Sequence, residues 1–341
     1  MNILNIKEVA RRAGVSIATV SRVINNTAPV SPKLRKKVED IIEETGYRPN
    51  ALAKELQSNK TNTIGVLISV EVLDLTSLGS TINAITDVLR KKGYNLMLAN
   101  SRFDQKEELD YFKVFQEKRV DGILYFAVSF TDDHYIMLKK YPIPIVMIGQ
   151  ENDRLNLPCI LQDNYNAAMD ATKYLIEMGH VDIGYIGLPE YDAAAGLERR
   201  RGFEAAMKAS NLTINPDFLD EGDFSIESGY NSMKRIIKRT DRRLTAIFAA
   251  TDFMALGAIH YLHEIGLTVP DHISIIGFDD VDVAAYINPP LTTIHSDNDT
   301  VGRQAAELLL QIIEKQEIPY SKFVAGYKLM LRKSVKDIRP L

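Results

Sequence analysis

Ile17, Ala18, Ser21 and Arg22 fall one, four and five positions apart, so on a helix they share one face carrying two apolar groups, a hydroxyl and a guanidinium. A guanidinium offers a planar fork of donors that fits guanine O6 and N7, and a short apolar side chain fits a thymine methyl; together they can read base edges in a major groove. A second set suits other chemistry. Asp163, Arg199, Thr251 and Asp279, with Phe224, combine bidentate charged groups, a hydroxyl and an aromatic face, the types that hold a hydroxylated ring.

The first set needs a short helix presented outward. Asn5 is placed to accept from the free amides of a helix while Glu8 reaches back to it, Ser16 opens a second helix, and Gly14 breaks the chain between them. Val9, Ala13, Val20, Val23 and Ile24 predict the seam between the two helices, with the small Ala10 allowing close approach. A third helix runs from N-cap Ser31 through Pro32 to a stop at Gly46, burying Leu34, Val38, Ile41 and Ile42. Thr19 and Asn25 belong to the same recognition segment as Ser16. Lys33, Lys36 and Arg48 are suited to phosphates or solvent.

Charge divides the chain in the same place. Residues 1–60 carry a net +5, whereas the whole chain of 341 residues is −4, so the remainder is acidic at −9. This is the pattern of a nucleic-acid-binding head on an acidic body. The 45% hydrophobic content is ample for a buried core, and no apolar run approaches membrane-spanning length.

From Thr63 onward apolar strands alternate with amphipathic helices, beginning with Ile64-Gly65-Val66-Leu67-Ile68 and a helix from about 78 to 92. Strands near 95–100, 122–126 and 145–149 complete one parallel sheet; those near 183–187, 218–221, 246–250 and 273–277 build a second. Two doubly wound α/β lobes are predicted. Ligands of such sheets bind beyond the carboxyl ends of the strands. That rule selects Asp163 at a strand end, Thr251 and Asp252 after another, Asp279 and Asp280 after Gly277-Phe278, and Arg199 after the 183–187 strand. Asp252 ranks lower because an Asp at a helix start first serves as an N-cap, and Asp280 reads equally well as a turn residue.

Ala13 to Asn25, then Tyr47-Arg48-Pro49-Asn50-Ala51-Leu52-Ala53 and Leu56, resemble the headpiece and hinge of the lactose repressor (LacI/GalR) family. The resemblance extends over the full length through Gly179-His180, Arg199 with Gly202-Phe203, Thr251-Asp252, Gly277-Phe278-Asp279-Asp280 and Pro289-Pro290-Leu291-Thr292-Thr293-Ile294. It implies a helix-turn-helix headpiece over 1–46, a hinge over 47–60, and a periplasmic-binding-protein-like core. The first lobe is expected over 61–162 and 293–322, the second over 163–292 and 323–341. It also implies that Ser16, Ile17, Ala18, Thr19, Ser21, Arg22, Asn25, Asn50, Ala53 and Leu56 contact double-stranded operator DNA, with Leu56 wedged into the minor groove. Asp163, Arg199, Phe224, Thr251 and Asp279 would contact a small-molecule effector, a sugar or sugar derivative. Ser69 to Ser77 departs from the family pattern, Glu71 and Asp74 reading as a solvated acidic loop, and Glu55 is an unusual carboxylate beside phosphates.

Nucleotide-binding, dinucleotide-binding and nucleophile-elbow signatures do not occur, and neither an enzyme, a cofactor nor a metal is expected. His260 and His263 share a helical face but read as solvent-facing. The lone Cys159 cannot form an intrachain disulfide, and the N-terminus shows no signal-peptide hydrophobic region, so a cytoplasmic location is expected. After a last strand over 328–334 no heptad segment remains, which predicts a homodimer reading a pseudo-palindrome. A phosphoprotein co-regulator stays open, as does the direction of control. The alternative is a sugar-binding protein without a DNA role, against which residues 1–60 argue.

Overall fold

A computed structural model of the chain describes residues 5–25, 28–47, 60–69, 77–128, 131–140, 143–151, 154–240 and 244–340. The chain divides into two compact units, residues 1–61 and 62–341.

The first unit is three helices: α1 (Ile6–Ala13), α2 (Ile17–Asn25) and α3 (Pro32–Thr45). Asn5 Oδ1 accepts from the Glu8 amide at 3.1 Å, so the first cap forms as expected. The reciprocal half does not. Glu8 instead binds Arg11 and Arg12 on its own helix, and its carboxyl is held down at about 2 chiefly by the hydrogen bond from Arg11. An exposed carboxylate with two guanidinium groups within one turn gains more from them than from a single amide. Gly14 closes α1 in the left-handed region at φ 67°, where a side chain would be strained. Ser16 Oγ then accepts from the Thr19 amide at 3.1 Å and starts α2. Ser31 stands at the third helix start without a side-chain cap bond, Pro32 supplying the first-turn geometry instead. Val9, Ala10, Ala13, Val20, Val23 and Val38 bury together, with Ile24, Ile41 and Ile42 packed at the edge. Tyr47 joins this core, while Leu34 stays outside it, half-buried.

The second unit holds two six-stranded sheets. The first lobe contains β1 (Thr63–Ile68), α4 (Ser77–Lys91), β2 (Asn95–Asn100), α5 (Gln105–Glu117), β3 (Gly122–Phe126), α6 (Asp132–Lys140), β4 (Ile145–Ile148) and β5 (Cys159–Gln162). The chain then passes through α7 (Asn164–Glu177), β6 (Ile183–Gly187), α8 (Glu198–Ala209), β7 (Leu219–Glu221), α9 (Ile226–Arg239), β8 (Ala246–Ala249), α10 (Asp252–Glu264) and β9 (Ser274–Asp279). It closes with β10 (Thr292–Ser296), α11 (Asn298–Ile313), β11 (Lys322–Ala325) and β12 (Tyr327–Met330).

The strand orders are β11-β5-β4-β3-β1-β2 and β12-β10-β9-β8-β6-β7. All pairings are parallel except β10 with β12. Central strands such as β1, β4, β6 and β8 are buried along nearly their whole length, as expected for sheets covered by helices on both faces.

The expected lobe boundaries at 292/293 and 322/323 are displaced, because both fall at strands. β10 pairs with β9 in the second sheet, and the chain crosses to the first lobe only at Asp297, the N-cap of α11. β11 pairs with β5 in the first sheet, and the return comes at Gly326. Residues inside a strand are tied to their own sheet by its ladder, so the crossings fall just beyond the strand ends, where the Asp297 amide donates to the Gly326 carbonyl at 3.4 Å.

Glycines set the depth of helix packing. A Cβ on Gly302 of α11 would come within 2.3 Å of the Thr81 carbonyl on α4, and one on Gly202 of α8 within 2.3 Å of the Tyr165 carbonyl on α7. Backbones therefore touch at these crossings, and Thr81 Oγ1 reaches the Asn298 carbonyl at 3.2 Å.

Candidate functional site

The outward face of α2 carries Ile17, which is 44% exposed, with Ala18 and Arg22 exposed and Thr19 and Ser21 half-buried. An isoleucine that open to solvent on a cap-started helix has no packing reason to be there. Ser16 is spent on the cap and on Thr19 Oγ1 at 2.9 Å. The side chain of Asn25 and the residues Asn50, Ala53, Glu55 and Leu56 lie outside the described residues.

A cavity of about 760 Å³ lies within the second unit, lined by both lobes. Its walls come from segments after the strands of both sheets: Ser69 after β1 and Ala127 and Val128 after β3, the pair at which the first sheet's order reverses, then Asp192 and Arg199 after β6, at the second sheet's reversal, and Asp279 ending β9.

Arg199 begins α8 rather than ending a strand, and its side chain is only 4% exposed. Nε donates to Asn164 Oδ1 at 2.9 Å, Nη1 to the Ala250 carbonyl at 2.6 Å, and Nη2 to Asp279 Oδ1 at 3.3 Å. The guanidinium lies over the Phe278 ring, 3.6 Å from its centroid. Four neighbours thus fix one planar fork at the wall of the cavity.

Asp279 and Phe224 line the cavity in left-handed backbone, at φ 105° and 74°, as does Phe103 at φ 61°. Such conformations cost a non-glycine residue about 1–3 kcal/mol and persist where surrounding structure holds a side chain to a task. Phe103 also meets Tyr191 of the other lobe edge-on at 6.4 Å between ring centroids.

Two expected residues serve elsewhere. Asp163 is not among the lining residues; it caps α7 and its carboxylate receives the Asn166 amide at 3.2 Å and side chain at 2.9 and 3.0 Å. Thr251, 2% exposed, caps α10 through the Met254 amide at 3.2 Å and is likewise off the lining. Since Thr251 is the cap, Asp252 is not. Asp252 is fully buried, takes the Thr293 hydroxyl at 2.6 Å and the Val281 amide at 2.8 Å, and so ties α10 to β10 and the turn after β9. Burial, reinforced by Asp279, pushes its carboxyl well above the usual carboxylate range. Asp280 sits in a turn at φ 55°, bound to Arg332 at 2.5 Å and His295 at 3.1 Å.

Asp192 was not expected. It accepts from the Ala194 and Ala195 amides at 3.1 and 2.9 Å and caps a π-helical turn, Ala193–Leu197, that feeds Arg199 into the cavity. Gly196 permits that turn, for a Cβ there would fall 2.0 Å from the Pro189 carbonyl. The Ala-Ala-Ala-Gly run beside a lone Asp was the available signal. Of the segment departing from the family pattern, Ser69 lines the cavity and residues 70–76, including Glu71 and Asp74, lie outside the described residues. His260 and His263 are exposed on α10, His260 against the Tyr230 ring at 5.7 Å, and no group of metal-binding side chains occurs among the described residues. Cys159 is buried in β5, and burial pushes its thiol up.

Residues 5–50 match the bacterial regulatory proteins of the lacI family, and residues 172–335 match the periplasmic binding protein-like domain. Catabolite control protein A of Priestia megaterium is 35% identical over 98% of this chain and all of its own length. The chain belongs to the lacI family. The repressor PurR of Vibrio vulnificus is 37% identical over 98% of this chain and 99% of its own. Among solved structures, a lac repressor dimer bound to operator and the anti-inducer ONPF superposes with a TM-score of 0.88 at 26% identity, over 98% of this chain and 99% of that one. A complex of the transcriptional regulator CelR with cellobiose gives 0.74 at 30% identity, over 97% and 99%. This member of the family is therefore a DNA-binding transcriptional regulator with an effector-binding core, and not an enzyme. No described helix is long and apolar enough to cross a membrane.

Proposed function

We propose that this lacI-family regulator is a cytoplasmic repressor that binds a pseudo-palindromic operator as a homodimer and is controlled by a sugar or sugar derivative in the cavity. The observation carrying the effector reading is the Arg199–Asp279 pair, buried at 4% and 14% side-chain exposure yet lining open space. A largely desolvated, charged pair on the cavity wall favours ligand hydroxyls in one orientation, and Phe224 offers a ring face beside it. Asp163 and Thr251 act through the helices they cap. Control arises from coupling between the lobes: a ligand bridging them favours one lobe arrangement, and the hinge transmits it to the paired headpieces. In the hinge, Asn50, Ala53 and Leu56 are assigned to the minor groove, with Leu56 replacing the base stacking it disrupts.

On the headpiece, Ile17 and Ala18 select bases by apolar contact, Arg22 reaches guanine, and Ser16, Thr19, Ser21 and Asn25 complete the surface on DNA. Exchanging the side chains at 17 and 18 should change the preferred half-site in a selection from randomised duplexes. Lys36→Ala should weaken all sequences alike, lowering the salt slope of binding by about one. A 17/18 exchange that leaves the preferred sequence unaltered would refute the base-reading assignment.

A further inference from the structure

We infer that Phe103 and Tyr191 form an aromatic latch at the edge of the cavity, a contact that holds the two lobes in the arrangement seen here. The latch itself stands on geometry; its effect on operator DNA rests on the coupling between lobes and headpieces proposed above.

Neither ring is spent on its own lobe. Phe103 comes from the turn between β2 and α5 in the first lobe, and Tyr191 from the turn between β6 and α8 in the second. They are 37% and 61% exposed, and among the described residues neither belongs to a buried core. Two large rings left singly in water gain by shedding it together. They meet edge-on, 6.4 Å between centroids and 70° between planes, the arrangement in which the positive edge of one ring approaches the negative face of the other.

Both turns are built to deliver the rings. Arg102 and Phe103 are consecutive non-glycine residues in left-handed backbone, at φ 51° and 61°. Neighbouring groups hold them there: the Arg102 amide donates to Asn100 Oδ1 at 3.1 Å, the Phe103 amide to Ser69 Oγ at 2.8 Å, and the Asp104 amide to the Ser101 carbonyl at 2.8 Å. Backbone so disfavoured persists only where its surroundings fix it, and here it brings Phe103 to the second lobe. On the other side the Asp192 amide closes a turn on the Pro189 carbonyl at 3.1 Å, directly after Tyr191. The Asp192 carboxylate then caps the π-helical turn that leads to Arg199. Each ring is thus rooted beside a cavity-lining residue, Ser69 in one lobe and Asp192 in the other, and Phe103 lines the cavity itself. Parting the lobes at this edge parts the rings, so occupancy of the cavity and closure of the latch bear on each other.

The test uses the full-length protein with no sugar added, as Phe103→Ala, Tyr191→Ala, the double variant and Tyr191→Phe. Both rings lie outside the cores, so the variants should fold. Hydrogen–deuterium exchange is read in the lobe that carries no substitution. Tyr191→Ala should speed exchange in residues 101–105, and Phe103→Ala in residues 188–197, by about threefold or more, since an aromatic pair shifts an equilibrium by about 2- to 12-fold. Tyr191→Phe keeps the ring and should leave residues 101–105 exchanging as in wild type. Titration of the duplex obtained by selection is the second readout. Both alanine variants should shift its affinity in the same direction by about threefold or more, and the double variant no further than the larger single one, as for two halves of one contact. Unchanged exchange in the unsubstituted lobe, or single effects that add in the double variant, overturns the latch. Reciprocal loosening with unaltered DNA affinity supports the latch and overturns the coupling of the lobes to the headpieces.

Discussion

Asp279→Asn and Arg199→Lys should each raise the effector concentration needed for a response at least 100-fold while leaving operator affinity within twofold of wild type. Each charge-assisted bond to a ligand hydroxyl contributes roughly 1.5–3 kcal/mol, and losing two of the weaker kind corresponds to about 100-fold in affinity. Conservative variants are the informative ones, because Arg199 also holds structure. Its three hydrogen bonds join the start of α8 to Asn164, Ala250 and Asp279, so an alanine would leave buried acceptors unpaired and cost about 3–5 kcal/mol. Lysine keeps the charge and loses the fork, which separates ligand geometry from simple neutralisation. Asparagine at 279 keeps an acceptor for Arg199 but removes the charge facing its buried guanidinium, so a loss of thermal stability smaller than that of an alanine at 199 is expected. Operator binding should persist because residues 1–61 form a compact unit of their own. The measurement is a gel shift against increasing ligand, the ligand being taken from a thermal-shift screen of mono- and disaccharides, their phosphates and purines. Unchanged response in both variants would remove Arg199 and Asp279 from the effector site.

Gly257→Ala should lower the melting temperature of the core by about 6–12 °C and weaken effector binding at the same time. A Cβ on Gly257 of α10 would stand 1.9 Å from the Ile226 carbonyl and 2.5 Å from the Tyr230 amide of α9, while a Cβ on Gly229 would meet Met254 backbone at 2.2 Å. These are backbone atoms, so no side-chain rotation relieves the clash and the helices must separate. Overpacking of this kind costs about 3 kcal/mol, at roughly 2–4 °C per kcal/mol for a domain of this size. The ligand effect arises from position, since Phe224, Ser225 and Ile226 at the start of α9 line the cavity. A control, Gly266→Ala, has open space around its Cβ but strained backbone at φ 76°, and should cost only about 1 kcal/mol with effector affinity unchanged. If Gly257→Ala melted like wild type, the backbone contact between α9 and α10 would not govern this half of the core.

The headpiece was legible because its determinants are local. Asn5, Gly14, Ser16, Pro32 and Gly46 act within four residues of themselves, and the apolar spacing of α1 and α2 defines a single seam. Where local choices competed, the reading failed: Glu8 had an amide and two arginines within reach, and the sequence did not rank them. The cavity was legible only as a region. Strand ends in an α/β sheet mark where ligands bind, and Arg199, Asp279 and Phe224 do line the cavity, but the same rule brought in Asp163 and Thr251.

What the sequence by itself determined is the class of the molecule: a basic helix-turn-helix followed by two acidic, doubly wound lobes, with the types of residue needed for bases and for hydroxyls. Periodicity, capping and charge are short-range properties and survive being written in one dimension. Tertiary structure decided which residues meet. Whether a carboxylate caps a helix, as Asp163 does, ties two elements together, as Asp252 does, or faces a ligand space, as Asp279 does, depends on partners 3, 41 and 80 positions away. The crossings at Asp297 and Gly326 were settled in the same way, by the sheet in which β10 and β11 each find a partner. Burial then adds what no spacing reveals. The same side chain is a solvated charge or a fixed acceptor according to the water that folding removes around it.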